Sequence, residues 1–173
     1  MTNRSHTVIN AAVLDGLKTL PDHCADMVIL TPPAVKTITD CLAGPGDEKA
    51  AAAVEALKAE IGYPDLHTET GREIKRIFKA GGNMIIPGTM GFKQAARMID
   101  KNMPNPGTIV QIYTDAGAWI GSAALRAGNR LICIEPEAEL ADYIDKYLNE
   151  VDGGGQKREG KESGSEQQTD CRV

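Results

Sequence analysis

The chain lacks any apolar run of the roughly 20 residues that a membrane-spanning helix needs, so no transmembrane segment is expected. Its first residues, Met1-Thr2-Asn3-Arg4-Ser5-His6, do not show the charged-then-apolar pattern of a secretory signal, and a cytoplasmic location is expected. The four cysteines, Cys24, Cys41, Cys133 and Cys171, are widely spaced and form no Cys-x-x-Cys. The histidines, His6, His23 and His67, add no ligand spacing, so no metal site is expected either. An excess of positive charge is also missing. The net charge of −5 and pI of 5.2 argue against strong autonomous DNA binding, which calls for a basic face, although a local basic stripe stays compatible with them.

What is present is enough for one domain with a sizeable core: 173 residues, 42% of them apolar. Cys24 beside His23 reads either as a reactive thiol or as a small core or loop residue, the latter being the commoner fate. Cys133 lies in an apolar strand pattern and reads as packing.

Strand and helix patterns alternate along the chain. Residues 7–14, 26–31, 83–86, 108–113 and 130–134 read as strands. Residues 47–61, 70–79, 93–102, 120–127 and 137–151 read as helices. Asp47 can cap an Ala-rich run of high helix propensity, and Gly62-Tyr63-Pro64 ends it. Gly81-Gly82 is expected to stop the next helix, and Gly44-Pro45-Gly46 and Pro87-Gly88 mark breaks. Alternation of this kind implies an α/β fold, a Rossmann-like three-layer sandwich with a mostly parallel sheet. Residues 1–151 form the expected domain. Residues 152–173 open with Gly153-Gly154-Gly155 and carry almost no apolar side chains, so they read as a disordered polar tail.

The most informative stretch is Asp26-Met27-Val28-Ile29-Leu30-Thr31-Pro32-Pro33-Ala34, an apolar strand running into two prolines. Proline fixes its own backbone and donates no hydrogen bond, so the chain leaves the sheet in a rigid extended exit. Ligands of open α/β sheets bind outside the carboxyl ends of the strands. Thr31-Pro32-Pro33 is therefore placed either to hold a substrate group or to serve as a plain rigid loop.

This stretch resembles the catalytic motif of the DNA amino-methyltransferases, in which a strand ends in Asp/Asn/Ser-Pro-Pro-aromatic. Val13 to Asp22 looks like the short acidic segment before that strand. Glu73 to Ile86 looks like the family's helix, Gly-Gly turn and next strand, and Gly121 to Glu135 like the helix after the cofactor loop and the strand that ends in an acid. The order of the segments is that of the circularly permuted members. The resemblance implies the methyltransferase fold, S-adenosylmethionine as cofactor and an exocyclic amine of adenine or cytosine in DNA as acceptor. It implies that Thr31, Pro32 and Pro33 position that amine, that Glu135 accepts hydrogen bonds from the cofactor ribose, and that Asp15 lies near its adenine. Helix cap and turn residue are the alternative readings of Glu135 and Asp15.

The departures from the family pattern bear on activity. Ala34 stands where an aromatic residue stacks on the flipped base, an interaction worth about 1–3 kcal/mol. Ile112-Tyr113-Thr114-Asp115-Ala116-Gly117-Ala118-Trp119 replaces the Asp-Pro-Phe-x-Gly-Ser-Gly-Thr loop that approaches the cofactor. Only Gly117 keeps the close backbone approach that glycine allows, and Asp115 could substitute for the lost loop acid. The expected protein is a member with eroded catalytic and cofactor motifs, weak or inactive. The alternative is a pseudo-methyltransferase that acts as a partner subunit, a homo-oligomer or a nucleic-acid-binding adaptor. The segment between Ala34 and Arg72 is too short for a full target-recognition domain.

Two basic stripes favour a nucleic-acid partner. Arg72, Lys75, Arg76 and Lys79 share one helical face, and Lys93, Arg97 and Lys101 repeat the pattern at i, i+4 and i+8. A solvated helix face is the other reading of both. Trp119, the single tryptophan, reads as core, as a filler of the cofactor cleft or as a stacking platform.

Overall fold

The computed structural model describes residues 5–31, 47–87, 91–114 and 118–155, with the backbone alone at 47–51 and 154–155. In chain order the elements are β1 (His6–Ile9), α1 (Val13–Lys18), β2 (Ala25–Leu30), α2 (Asp47–Ile61), α3 (Glu69–Ile77), β3 (Phe78–Ile85), α4 (Phe92–Asn102), β4 (Thr108–Ile112), α5 (Trp119–Arg126), β5 (Arg130–Ile134) and α6 (Ala138–Gly155).

The strands form one five-stranded sheet in the order β1-β5-β4-β2-β3, and every pairing is parallel. The three central strands are apolar at nearly every position, because helices cover both of their faces. Val28, Leu30, Val110, Ile112, Ile132 and Ile134 point to the side packed by α1, α2 and α3. Met27, Ile29, Ile109, Leu131 and Cys133 point to the side packed by α4, α5 and α6. Each such residue contributes about 1.5–3 kcal/mol by leaving water. The result is the expected Rossmann-like three-layer α/β sandwich.

Three boundaries differ from the sequence expectation. The first strand ends at Ile9, not at residue 14. The Asn10 side chain then donates to the carbonyls of Glu135 and Pro136, and Val13–Lys18 form a short helix that buries Val13, Gly16 and Leu17. Gly16 lets this helix sit on the sheet, since a Cβ there would lie 2.6 Å from the Ile134 side chain. The second difference is at α3, which stops at Ile77 rather than Lys79. Phe78 is drawn off as a partner of Ala25, and after an irregularity the ladder resumes with Asn83 beside Met27. The final helix also runs through the glycines to Gly155.

Among the described residues, no helix is long and apolar enough to cross a membrane. Nor does any group of three or more His, Cys, Asp or Glu among them suit a metal ion.

Candidate functional site

The connection after β2 runs through α2 and α3 to β3 on one face of the sheet. The connection after β4 runs through α5 to β5 on the other face. β2 and β4 are neighbours, with Leu30 opposite Ile112. The connecting helices therefore lie on opposite faces, which makes this the switch point at which doubly wound sheets usually open a ligand crevice.

Thr31 lies at that crevice. Its N–H donates to the Ile112 carbonyl at 2.9 Å, continuing the ladder one residue past β2. Its side chain is buried, and Oγ1 accepts from Gln111 Nε2 at 3.3 Å. Gln111 escapes a reading of the sequence by family motif, although a lone amide within Thr-Ile-Val-Gln-Ile is a usable signal. Pro32, Pro33 and Ala34 lie outside the described residues, as do Asp115 and Gly117.

Across the crevice, two residues bracket the β4–α5 loop in left-handed backbone conformations, Tyr113 with φ 55° and Ala118 with φ 46°. Side chains with a Cβ adopt that region at a cost of about 1–2 kcal/mol, and such strain gathers at sites. The Tyr113 hydroxyl donates to the Glu60 carboxylate at 3.3 Å, which ties the end of α2 to the end of β4. Burial foremost, and then the Glu60 charge, pushes the Tyr113 phenol up to about 12.

Glu135 follows the last residue of β5 and is fully buried. Its Oε2 accepts from both the backbone N–H and the hydroxyl of Thr114, each at 2.9 Å. Its Oε1 accepts from the Glu137 N–H at 3.1 Å. The carboxylate thus staples the β4–α5 loop to the start of the next connection. This carboxylate is shut off from solvent, and the chain itself fills three of its acceptor positions. Asp15 is exposed on α1. Trp119 is 37% exposed at the start of α5, so it is not a core residue.

The basic residues separate into two groups. Arg76 is turned inward. Its guanidinium donates to the carbonyls of Leu17 and Leu20, each at 2.9 Å, and pairs with Asp22 and Glu73. Lys79 pairs with Asp26 at 2.6 Å. Both sit beside the amino ends of β2 and β4, where Asp26 also accepts from the Thr108 N–H, so they lie at the opposite end of the sheet from Thr31. Arg72 donates to the His67 carbonyl. Lys75, Lys93 and Arg97 are exposed. Cys24 is half-buried, and that burial pushes its thiol up, away from the reactive thiolate form.

No protein-family model matches the chain, and no curated protein matches it. Solved structures with the same fold include those of a candidate DNA modification methylase from Thermus thermophilus. A selenomethionine form aligns with a TM-score of 0.58 at 12% identity, over 86% of this chain and 97% of the other. A second form gives 0.57 at 11% identity, over 84% and 95%. A complex with S-adenosyl-L-methionine gives 0.57 at 12%, over 86% and 97%. At this identity the likeness defines the class of fold, the methyltransferase-like α/β sandwich, and nothing finer.

Proposed function

We propose that this protein is a pseudo-methyltransferase of the DNA amino-methyltransferase kind, in which the cofactor cleft has become part of the structure. The observation that carries this reading is Glu135, fully buried with its carboxylate committed to Thr114 and Glu137. The sequence supports it twice more. Glycine is lost at Ala116 and Ala118, and Ala34 replaces the stacking aromatic. The order of the segments further supports descent from a circularly permuted member. Calorimetric titration with S-adenosylmethionine and S-adenosylhomocysteine is expected to show no binding at millimolar ligand. Micromolar binding of either would overturn the reading.

The retained role is that of a subunit or adaptor for a nucleic-acid-modifying partner. Lys93 and Arg97, exposed on α4 with Lys101 one turn further, support a phosphate-binding face. Arg76 and Lys79 do not add to that face, because their charges are spent on Asp22, Glu73 and Asp26. Binding to labelled duplex DNA is accordingly expected to be weak and confined to low salt. The Lys93→Gln, Arg97→Gln double variant should lower the salt slope by up to about 2, one for each phosphate that is no longer neutralised. An unchanged slope would remove α4 from the interface.

A further inference from the structure

β1 is an outer strand of the sheet, paired on one side only, with β5. The carbonyls of Ser5 and Ile9 accept from the backbone of β5. Backbone groups of successive residues in a strand point to opposite edges, so those of His6 and Val8 face away from β5. Among the described residues no strand pairs with that edge. An open edge is a template for one more strand, unless a lysine, a proline or a bulge blunts it. His6-Thr7-Val8-Ile9 carries no lysine, proline or bulge. The opposite outer strand, β3, is blunted by Lys79, Gly81, Gly82 and the irregularity in its ladder.

Beside the open edge runs a groove of about 460 Å³ between β1 and α6. His6, Val8 and Asn10 line one side of it, and Asp142 and Asp145 line the other. No lysine or arginine is among its described lining. The third carboxylate on this flank, Asp152, is engaged by the hydroxyl and N–H of Ser5 at 2.6 and 3.2 Å. The His6 side chain is buried, and neither ring nitrogen makes a hydrogen bond, although Asp145 Oδ1 approaches Nε2 to 3.3 Å. A buried polar group without a partner is costly. The wall of the groove therefore holds unused hydrogen-bonding capacity beside two acids. Nε2 lies behind Asp145, whose side chain is 41% exposed and can turn toward an incoming cation.

We propose that this edge and groove dock an extended basic segment of a partner protein, which adds to the sheet as a sixth strand beside β1 and sets lysine or arginine side chains against Asp142 and Asp145. In such docking the main-chain bonds, here to His6 and Val8, give affinity, and alternate side chains give specificity. Side chains of the added strand alternate between the faces of the sheet, so every second one points to the α6 side. A lysine ammonium carries three donors, which matches two carboxylates and one imidazole nitrogen. A second copy of this chain fits less well, because it would bring the same acidic wall to the seam. This surface gives the adaptor reading a partner chemistry. β5 separates it from the crevice between β4 and β2, so peptide binding here is independent of whether the cleft takes a cofactor.

A fluorescein-labelled nine-residue peptide of alternating lysine and valine, titrated with the full-length protein and read by fluorescence anisotropy, tests this. Binding in the micromolar range is expected. Three changes to the peptide should each weaken it about tenfold or more. These are gathering the lysines into one block, replacing them by glutamate, and N-methylating alternate backbone positions. The Asp142→Asn, Asp145→Asn double variant should weaken binding by about tenfold. Asp142→Lys, at an exposed position, carries the test if the double variant does not fold. Hydrogen exchange of the Val8 amide is expected to slow on adding the peptide, with no change in β4. Absence of binding at millimolar peptide would overturn the proposal. So would equal affinity for the blocked-lysine peptide, or affinity unchanged in both variants. A free protein that sediments as a dimer with Val8 already protected would assign the edge to a second copy and overturn it as well.

Discussion

Glu135→Ala is expected to lower the unfolding free energy by about 3 kcal/mol, because it strands two buried donors and a part-buried one at about 1 kcal/mol each or more. Those donors are the Thr114 N–H, the Thr114 hydroxyl and the Glu137 N–H, and the carboxylate accepts from all three. Glu135→Gln keeps one oxygen for the Thr114 pair and turns an amide toward the Glu137 N–H, so its cost should be nearer to about 1 kcal/mol. Urea unfolding, followed by the fluorescence of the single tryptophan, Trp119, measures both, provided that the denaturant slope is the same in each variant. The comparison separates the two roles open to this acid. A ribose ligand facing an empty crevice can be removed with little change in stability, and its removal shows only in cofactor affinity. A staple shows its removal in the protein without any ligand. A change below about 0.5 kcal/mol in Glu135→Ala, the size of an ordinary surface substitution, would return Glu135 to the cofactor and remove the main support for the pseudoenzyme reading.

This carboxylate also shows how far the sequence reaches. An acid ending the strand Arg130-Leu131-Ile132-Cys133-Ile134 is legible, because an apolar run bounded by polar residues is a strand signal. Its partner is not, since Thr114 lies 21 residues upstream and meets it only when β4 pairs with β5. The same holds for the basic stripe of α3. Spacing puts Arg76 and Lys79 on one face, but the aspartates that neutralise them are 54 and 53 residues away, on the approach to β2 and at its start. Helix periodicity describes a face and is silent about what the fold brings against it. The long helices and central strands are readable because each carries a sustained pattern. α1 is not, for its six residues contain a glycine and follow the apolar Ala11-Ala12, which extends the look of a strand. The setting of His6 is hidden for a related reason. Ligand spacing is a local signal, whereas the carboxylates around this ring come from the other end of the chain.

Gly71→Ala is expected to destabilise the protein by about 3 kcal/mol, toward the upper end of what overpacking costs. Alanine is a better helix former than glycine by about 1 kcal/mol, so at an open helical position the same change would stabilise. Here the added Cβ would lie 2.1 Å from the Ile61 carbonyl oxygen and within 2.8 Å of two Leu66 backbone atoms. Backbone cannot rotate aside as a side chain can, so the end of α2 must separate from the start of α3. Thr68 binds the same corner, with its hydroxyl donating to the Glu60 carbonyl and accepting from the Gly71 N–H. Opening the corner displaces Glu60 from Tyr113, which links a packing change to the crevice. Two measurements follow from that link. Urea unfolding gives the stability change, and a spectroscopic titration of the folded protein reports the tyrosine. In the wild type the Tyr113 phenol stays neutral to about 12, so its contribution to stability is complete below about 10, where an unfolded tyrosine ionises, and is lost between the two values. In Gly71→Ala the late-titrating tyrosine should ionise earlier, and Tyr113→Phe identifies which absorbance it is. A stable Gly71→Ala protein whose tyrosine titration matches the wild type would mean that the α2–α3 corner does not hold Glu60 against the end of β4.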